Sequence, residues 1–231
     1  MPDKIRVAIL DDHQGIIDGY LYRLGPYPQI EVVASLSFGS DLEPALNDQP
    51  VDVLLLDIDV PTSAENHNPY PILYLIPRLL QEHSGLNILV ISMHCERALV
   101  RSVMEAGASG YVVKDDQANI RDLGNLVLSV ANGGICFSQK AYQLFMKYEP
   151  GDKESLLTSR QLEALSLCAA YPDSTLAEVA KKMKVGNSTV RNLLSGSYVR
   201  LGVRTRAAAV ARAREIGIIT PYNLQAPFAK P

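Results

Sequence analysis

Four short apolar runs in the first half of the chain each end on a residue type able to do phosphate or metal chemistry. Asp11 and Asp12 follow Ile5–Leu10, Asp57 follows Val53–Leu56, Ser92 follows Ile88–Ile91, and Lys114 follows Tyr111–Val113. Such runs read as parallel strands covered on both faces. In a doubly wound sheet, ligands bind beyond the carboxyl ends of the strands, so the five side chains are expected to converge. Taken singly, each has a plainer role: Asp12 or Ser92 as a helix cap, Asp57 as a turn residue, Lys114 as a solvated amine. Together they form a different object. Three carboxylates at one strand end repel unless they bind a cation, and oxygen ligands with room for water suit Mg2+. A lysine and a hydroxyl beside that cation complete a phosphate site. The chemistry is phosphoryl transfer onto a carboxylate, with Asp57 at the end of the central strand as nucleophile. Asp11 and Asp12 are placed to hold the metal, and Lys114 to pair with a phosphoryl oxygen.

A fifth apolar run, Ile30–Ala34, completes the strand set, and the segments between runs carry helical spacing. It is clearest in Ile16, Ile17, Tyr20, Leu21 and Leu24, in Leu99, Val103 and Ala106, and in Ile120, Leu123, Val127 and Val130. Repeated strand-helix alternation predicts an α/β doubly wound parallel five-stranded sheet. In the third helix Pro71 and Pro77 flank Ile72–Ile76, so the helix starts at either proline or kinks at the second. A short amphipathic stretch, Ser138–Tyr148, leads into the polar, Pro- and Gly-containing Glu149–Lys153, the best linker candidate. Beyond it Thr158 and Gln161 form a capping-box pattern. Helical patterns follow near Thr175–Met183, Asn187–Leu201 and Thr205–Ile216, which predicts a smaller all-α domain. The expected division is residues 1–131, a linker with a short helix over 132–156, and 157–231.

Charge follows the same division. Residues 157–217 hold ten Lys or Arg against four Asp or Glu, and the rest of the chain holds twelve against twenty-one. An acidic body with a compact basic region points to a regulatory part joined to a polyanion-binding part. The 47% hydrophobic composition excludes a disordered chain. Cys95, Cys136 and Cys168 are odd in number and lack metal-ligand spacing, and no apolar run reaches the ~18 residues of a membrane span. A cytoplasmic protein without membrane contact is expected.

The motif residues resemble a known family. Leu10-Asp11-Asp12-His13, Asp57 with Pro61, Ser92, and Ala106-Gly107-Ala108-Ser109-Gly110-Tyr111-Val112-Val113-Lys114 resemble the flavodoxin-like receiver of a NarL/FixJ-type response regulator, over roughly residues 4–131. The resemblance implies that a sensor histidine kinase phosphorylates Asp57. It further implies Mg2+ held by Asp12, Asp57 and the main-chain carbonyl of Asp59 with Asp11 alongside, and a shift of Ser92 and Tyr111 when the phosphoryl group arrives. The sequence departs from this family in the long Thr62–Tyr70 segment, where a short turn is usual, and in the bulky Met93 and His94 after Ser92.

Leu157-Thr158-Ser159-Arg160-Gln161 and Ser188-Thr189-Val190-Arg191-Asn192 through Tyr198, Leu201, Gly202 and Val203 resemble a LuxR-type helix-turn-helix over about residues 157–217. Val190, Leu194 and Leu201 recur on one helical face, whereas Ser188, Arg191, Asn192 and Ser195, with Thr189 beside them, fall on the expected groove-reading side. Lys181, Lys182, Lys184, Arg200, Arg204 and Arg206 are cast as phosphate contacts that position without specifying. Leu193 stands where this family often has His. Gly196 inside the helix costs ~1 kcal/mol relative to Ala. The last helix, with Ala207, Val210 and Ala211, resembles the family's dimerisation helix, and a dimer presents two reading heads about one DNA turn apart.

The expectation is a phosphorylation-controlled DNA-binding regulator acting as a homodimer. Its rival is a DNA-binding regulator whose receiver no longer uses phosphate. Asp57-Ile58-Asp59 also resembles the nucleophile motif of haloacid-dehalogenase-type phosphatases, but those place it on the first strand. No enzymatic turnover is expected.

Overall fold

The structure, a computed structural model, describes residues 4–147 and 156–221. The first domain is built on strands β1 (Ile5–Leu10), β2 (Ile30–Leu36), β3 (Val53–Leu56), β4 (Asn87–Ser92), β5 (Gly110–Val113) and β6 (Cys136–Phe137), all parallel, in the order β2-β1-β3-β4-β5-β6. The strands carry alternate side chains to two cores. Ala8, Leu10, Leu54, Leu56, Ile88, Val90, Tyr111 and Val113 face one, and Val7, Ile9, Val53, Leu55, Leu89, Ile91 and Val112 face the other. That period of two explains why the strands read as continuous apolar runs, since both faces are covered.

Helices α2 (Leu42–Asp48), α3 (Ile72–Glu82) and α4 (Arg97–Glu105) seal the first core. Helix α1 (Gln14–Leu24) and the pair α5 (Gln117–Arg121) and α6 (Leu123–Ala131) lie over the second. Pro71 caps the start of α3 and Pro77 lies inside it. The spacing Ile120, Leu123, Val127 and Val130 is split between α5 and α6 at Asp122, whose N–H bonds Ala118 and Asn119 O.

One expectation is corrected, because the sheet has six strands and not five. Cys136 and Phe137 pair in parallel with Gly110 and Tyr111. Ser138 Oγ then accepts from Val113 N at 3.2 Å and caps helix α7 (Gln139–Met146) through Ala141 N. Phe137 and Phe145 stack at 5.3 Å, and α7 packs on α4 and β5. Residues 136–146 are thus packed on the receiver sheet, whereas the linker candidate Glu149–Lys153 lies outside the described residues.

The second domain comprises α8 (Ser159–Ala170), α9 (Leu176–Lys182), α10 (Asn187–Leu201) and α11 (Arg206–Glu215) around its own core. Both Thr158 with Gln161 and Thr175 with Glu178 make complete capping boxes. No helix among the described residues is long and apolar enough to cross a membrane.

Candidate functional site

Backbone pairing brings the strand ends together before any side chain acts. Asp57 N donates to Leu10 O at 2.8 Å, Asp11 N to Leu36 O at 3.1 Å, and Lys114 N to Ser92 O at 2.9 Å. In the pocket so formed, Lys114 Nζ stands 2.6 Å from Asp11 Oδ2 and donates to Asp57 Oδ2 at 2.7 Å. Asp11 and Asp57 are almost wholly buried, at 1% and 5% exposure. Asp11 Oδ1 accepts from His13 N at 3.0 Å, and Asp57 Oδ1 from Asp59 N at 3.3 Å.

The electrostatics follow from this crowding. Burial, and then the charge of Asp57, push the Asp11 carboxyl above the ordinary carboxylate range, and burial does the same to Asp12 against the pull of His13. Burial by itself pulls the Lys114 ammonium down, but Asp57 and Asp11 outweigh it and leave it above its usual value. One ammonium serves two buried carboxylates while Asp12 opens to solvent, its Oδ1 2.6 Å from His13 Nδ1. Ligand atoms of Asp11, Asp12 and His13 all lie within 4.8 Å of one another. The donors are hard carboxylate oxygens and an imidazole nitrogen, and the carboxylates suit Mg2+.

Ser92 and Tyr111 are both buried completely and hold the loop after β4. Ser92 Oγ accepts from His94 N at 3.2 Å, and Tyr111 OH donates to His94 O at 2.8 Å. The His94 imidazole stands 3.6 Å from Asp59 Oδ2 and 3.7 Å from Glu96 Oε2, and the Asp59 carboxylate beside it raises its pKa above the ordinary value. His13 and His94 are therefore pocket residues that the sequence reading quoted without a role. Their signal was adjacency to the carboxylate pair and to Ser92.

In the second domain, α9 and α10 are joined by a tight turn in which Lys184 adopts φ 53 and Val185 N bonds Ala180 O at 3.0 Å. Helix α10 buries Val190, Leu194, Ser197 and Leu201, an i, i+4, i+7, i+11 stripe. Ser188, Thr189, Arg191, Asn192 and Ser195 are exposed on its other faces, together with Lys184, Arg200 and Arg204. Arg200 also donates to Leu156 O at 3.3 Å. Arg206 is engaged inside the domain, donating to Ser174 O at 2.7 Å and Pro172 O at 2.6 Å, so it bridges the loop between α8 and α9. Gly196 faces Gln161, whose Nε2 lies 2.6 Å from where a Cβ would stand. The same Gln161 accepts from Thr158 N through Oε1.

The chain matches the response regulator receiver domain over residues 7–124, which is half of its length. It belongs to the response regulator family. This response regulator is similar over nearly its whole length to the transcriptional regulatory protein DegU of Brevibacillus brevis, at 28% identity covering 93% of this chain and 95% of DegU. It is also similar to the probable transcriptional regulatory protein NarL of Mycobacterium tuberculosis, at 27% identity covering 92% of this chain and 94% of that one. The fold matches RcsB of Salmonella enterica serovar Typhimurium, solved bound to the promoter rprA with a phosphomimetic. The TM-score is 0.60 at 22% identity, covering 91% of this chain and 98% of that one. The regulator is of the NarL/FixJ class, with a receiver sheet one strand larger than its sequence pattern predicts.

Proposed function

We propose that this response regulator controls transcription by accepting a phosphoryl group on Asp57 from a sensor histidine kinase and binding DNA through α10 as a homodimer. The observation that carries the reading is the Lys114 ammonium held between Asp57 and Asp11 at the carboxyl ends of the strands. Asp12, Asp57 and the carbonyl of Asp59, with Asp11 alongside, are the groups suited to hold Mg2+. A metal bound there would neutralise charge on the phosphoryl oxygens. An Asp57 carboxylate oxygen attacks phosphorus while the bond from phosphorus to the donor breaks, and the donor leaves with its electron pair. Lys114, already between two carboxylates, turns to a phosphoryl oxygen. Ser92 and Tyr111, joined through His94 to Asp59, are placed to register the change.

On the second domain, Arg191 and Asn192 are suited to guanine and adenine edges in the major groove, with Ser188, Thr189 and Ser195 beside them. Lys184, Arg200 and Arg204 are suited to phosphates. Arg206 contributes charge while its guanidinium braces the domain.

Intact-mass analysis after incubation with acetyl phosphate and Mg2+ tests the reading. One acid-stable, base-labile phosphoryl adduct is expected on the wild type and none on a folded Asp57→Ala variant. Uptake by Asp57→Ala would refute the site. A folded wild type that takes no phosphoryl group would leave a phosphate-independent regulator.

A further inference from the structure

The receiver meets the second domain at the chain's own insertion, Thr62–Tyr70. That segment is a closed hairpin. Pro61 and Pro69 bridge, Thr62 N and Oγ1 both donate to Asn68 O at 2.9 and 2.8 Å, and Ser63 and Asn66 exchange backbone bonds at 3.0 and 3.2 Å. Asn68 donates twice to Asn66 Oδ1, from N at 3.1 Å and Nδ2 at 2.8 Å. The Asn66 amide is thereby oriented, and its Nδ2 donates at 2.9 Å to Ala170 O, a carbonyl that the end of α8 leaves without a helical partner.

The same segment makes a second tie, where Tyr70 O accepts from the buried Thr220 Oγ1 at 3.2 Å. Close packing surrounds these bonds. Gly217, at φ 70, lies so near α4 that a Cβ would come within 3.1 Å of Ala98 Cβ and 3.2 Å of Leu99 N. Tyr74 of α3 packs against the cores of both domains. The hairpin begins three residues after Asp59 and is fixed to the short 3-10 turn that follows β2, Gly39–Asp41, by Gly39 N to Pro61 O and Ser40 N to Thr62 O, at 2.9 and 2.8 Å. The phosphoacceptor loop thus continues without a break into the interdomain contact.

We propose that the insertion is an interdomain latch, oriented by Asn68 and closed by Asn66 on Ala170 and Thr220 on Tyr70, whose hold is released when a phosphoryl group occupies Asp57. The inference rests on the phosphoacceptor reading above. Asp57 Oδ1 accepts from Asp59 N at 3.3 Å, so a phosphoryl group on Asp57 competes for the bond that orders the start of the segment leading into the hairpin. Ser188, Arg191, Asn192 and Ser195 are exposed while the domains are docked, so the latch governs how freely the second domain turns against the receiver, not whether its reading face is uncovered. Linkage makes the effect reciprocal. The factor by which a phosphoryl mimic loosens docking is the factor by which loosened docking tightens the mimic.

The test uses the full chain, with beryllofluoride and Mg2+ as the probe. Asn66→Asp removes the donor to Ala170 and Thr220→Val removes the donor to Tyr70, and neither side chain lies in the Asp57 pocket. Hydrogen exchange is read at residues 62–70 and 216–220, with residues 53–56 reporting that the receiver stays folded. One lost hydrogen bond corresponds to about a fivefold change. Each variant is expected to exchange about fivefold faster at both interface segments and to bind beryllofluoride about fivefold more tightly, and the saturated wild type to show the same opening. Unchanged interface exchange in both variants, or wild-type affinity in a variant whose interface has opened, overturns the latch alone. No beryllofluoride binding by the wild type overturns the phosphoacceptor reading, and the coupling with it.

Discussion

Replacing Lys114 by Met keeps the volume of the side chain and deletes the one cation shared by Asp11 and Asp57. The two contacts laid end to end reach about 5.3 Å, so the carboxylate oxygens lie no farther apart than that. At an effective dielectric of about 20, two like charges at that separation repel by at least about 3 kcal/mol. Removing one partner from a buried pair costs 3–5 kcal/mol in general, the same range. The receiver of Lys114→Met is therefore expected to lose about 3 kcal/mol at pH 7.5 in EDTA. The sign of its pH dependence is fixed. Burial and Asp57 already raise the Asp11 carboxyl, and losing the ammonium raises it further. A carboxyl raised in the folded state favours folding below its unfolded value and loses that contribution as pH rises through its folded value. The deficit should shrink at pH 5, and Mg2+ should shrink it at pH 7.5. Urea denaturation followed by circular dichroism measures this, taking the receiver transition separately from that of the second domain. A loss below about 1 kcal/mol, or an equal loss at both pH values, would show that the two carboxylates are not coupled through Lys114.

Further outcomes are expected elsewhere. Arg6 hydrogen bonds hold the Asp52 carboxyl below its usual range, so that pair stabilises the receiver above the unfolded Asp value and the contribution disappears as pH falls through the lower folded value. Because the pair is partly exposed, Asp52→Asn should cost no more than about 1 kcal/mol at pH 7, and the melting curves of the two proteins should converge in acid. Arg191→Ala should weaken binding to the preferred operator by about 1–3 kcal/mol and relax base preference at one position. Equal loss on every sequence in a binding titration would recast Arg191 as a phosphate contact. Gly196→Ala should gain nothing in thermal unfolding of the second domain. The ~1 kcal/mol of helix propensity is offset by displacing Gln161 from its capping box, and a rise in melting temperature would contradict that account.

Both domains were legible wherever a side-chain pattern repeated. β1 and β3 coincide with their apolar runs, and α9, α10 and α11 lie within their helical patterns, because burial of one face is written locally. Asp11, Asp57 and Lys114 were legible for a topological reason, since parallel strands deliver their last residues to one edge. The sixth strand was not, because two residues, Cys136 and Phe137, are too few to show a period. The break at Asp122 was also hidden, as the apolar spacing runs through it while the backbone does not. Arg206 reads as one more basic residue on a helix, and only the folded domain shows its guanidinium turned to Pro172 and Ser174. The contacts of Asn66 and Thr220 join residues 104 and 150 positions away, a separation at which no local pattern carries information.

The packing of α7 on α4 and β5 sets the length of the leash between the domains. The receiver's last helix ends at Met146, and Leu157 is already buried in the second core. The ten residues between them span at most about 40 Å when fully extended. A domain held on so short a tether meets its docking face at an effective concentration of order millimolar, whatever the concentration of the protein. Docking is thus a first-order equilibrium, whereas pairing of two copies is second-order. Dilution therefore separates them: it dissociates pairs and leaves the docked fraction of each chain unchanged.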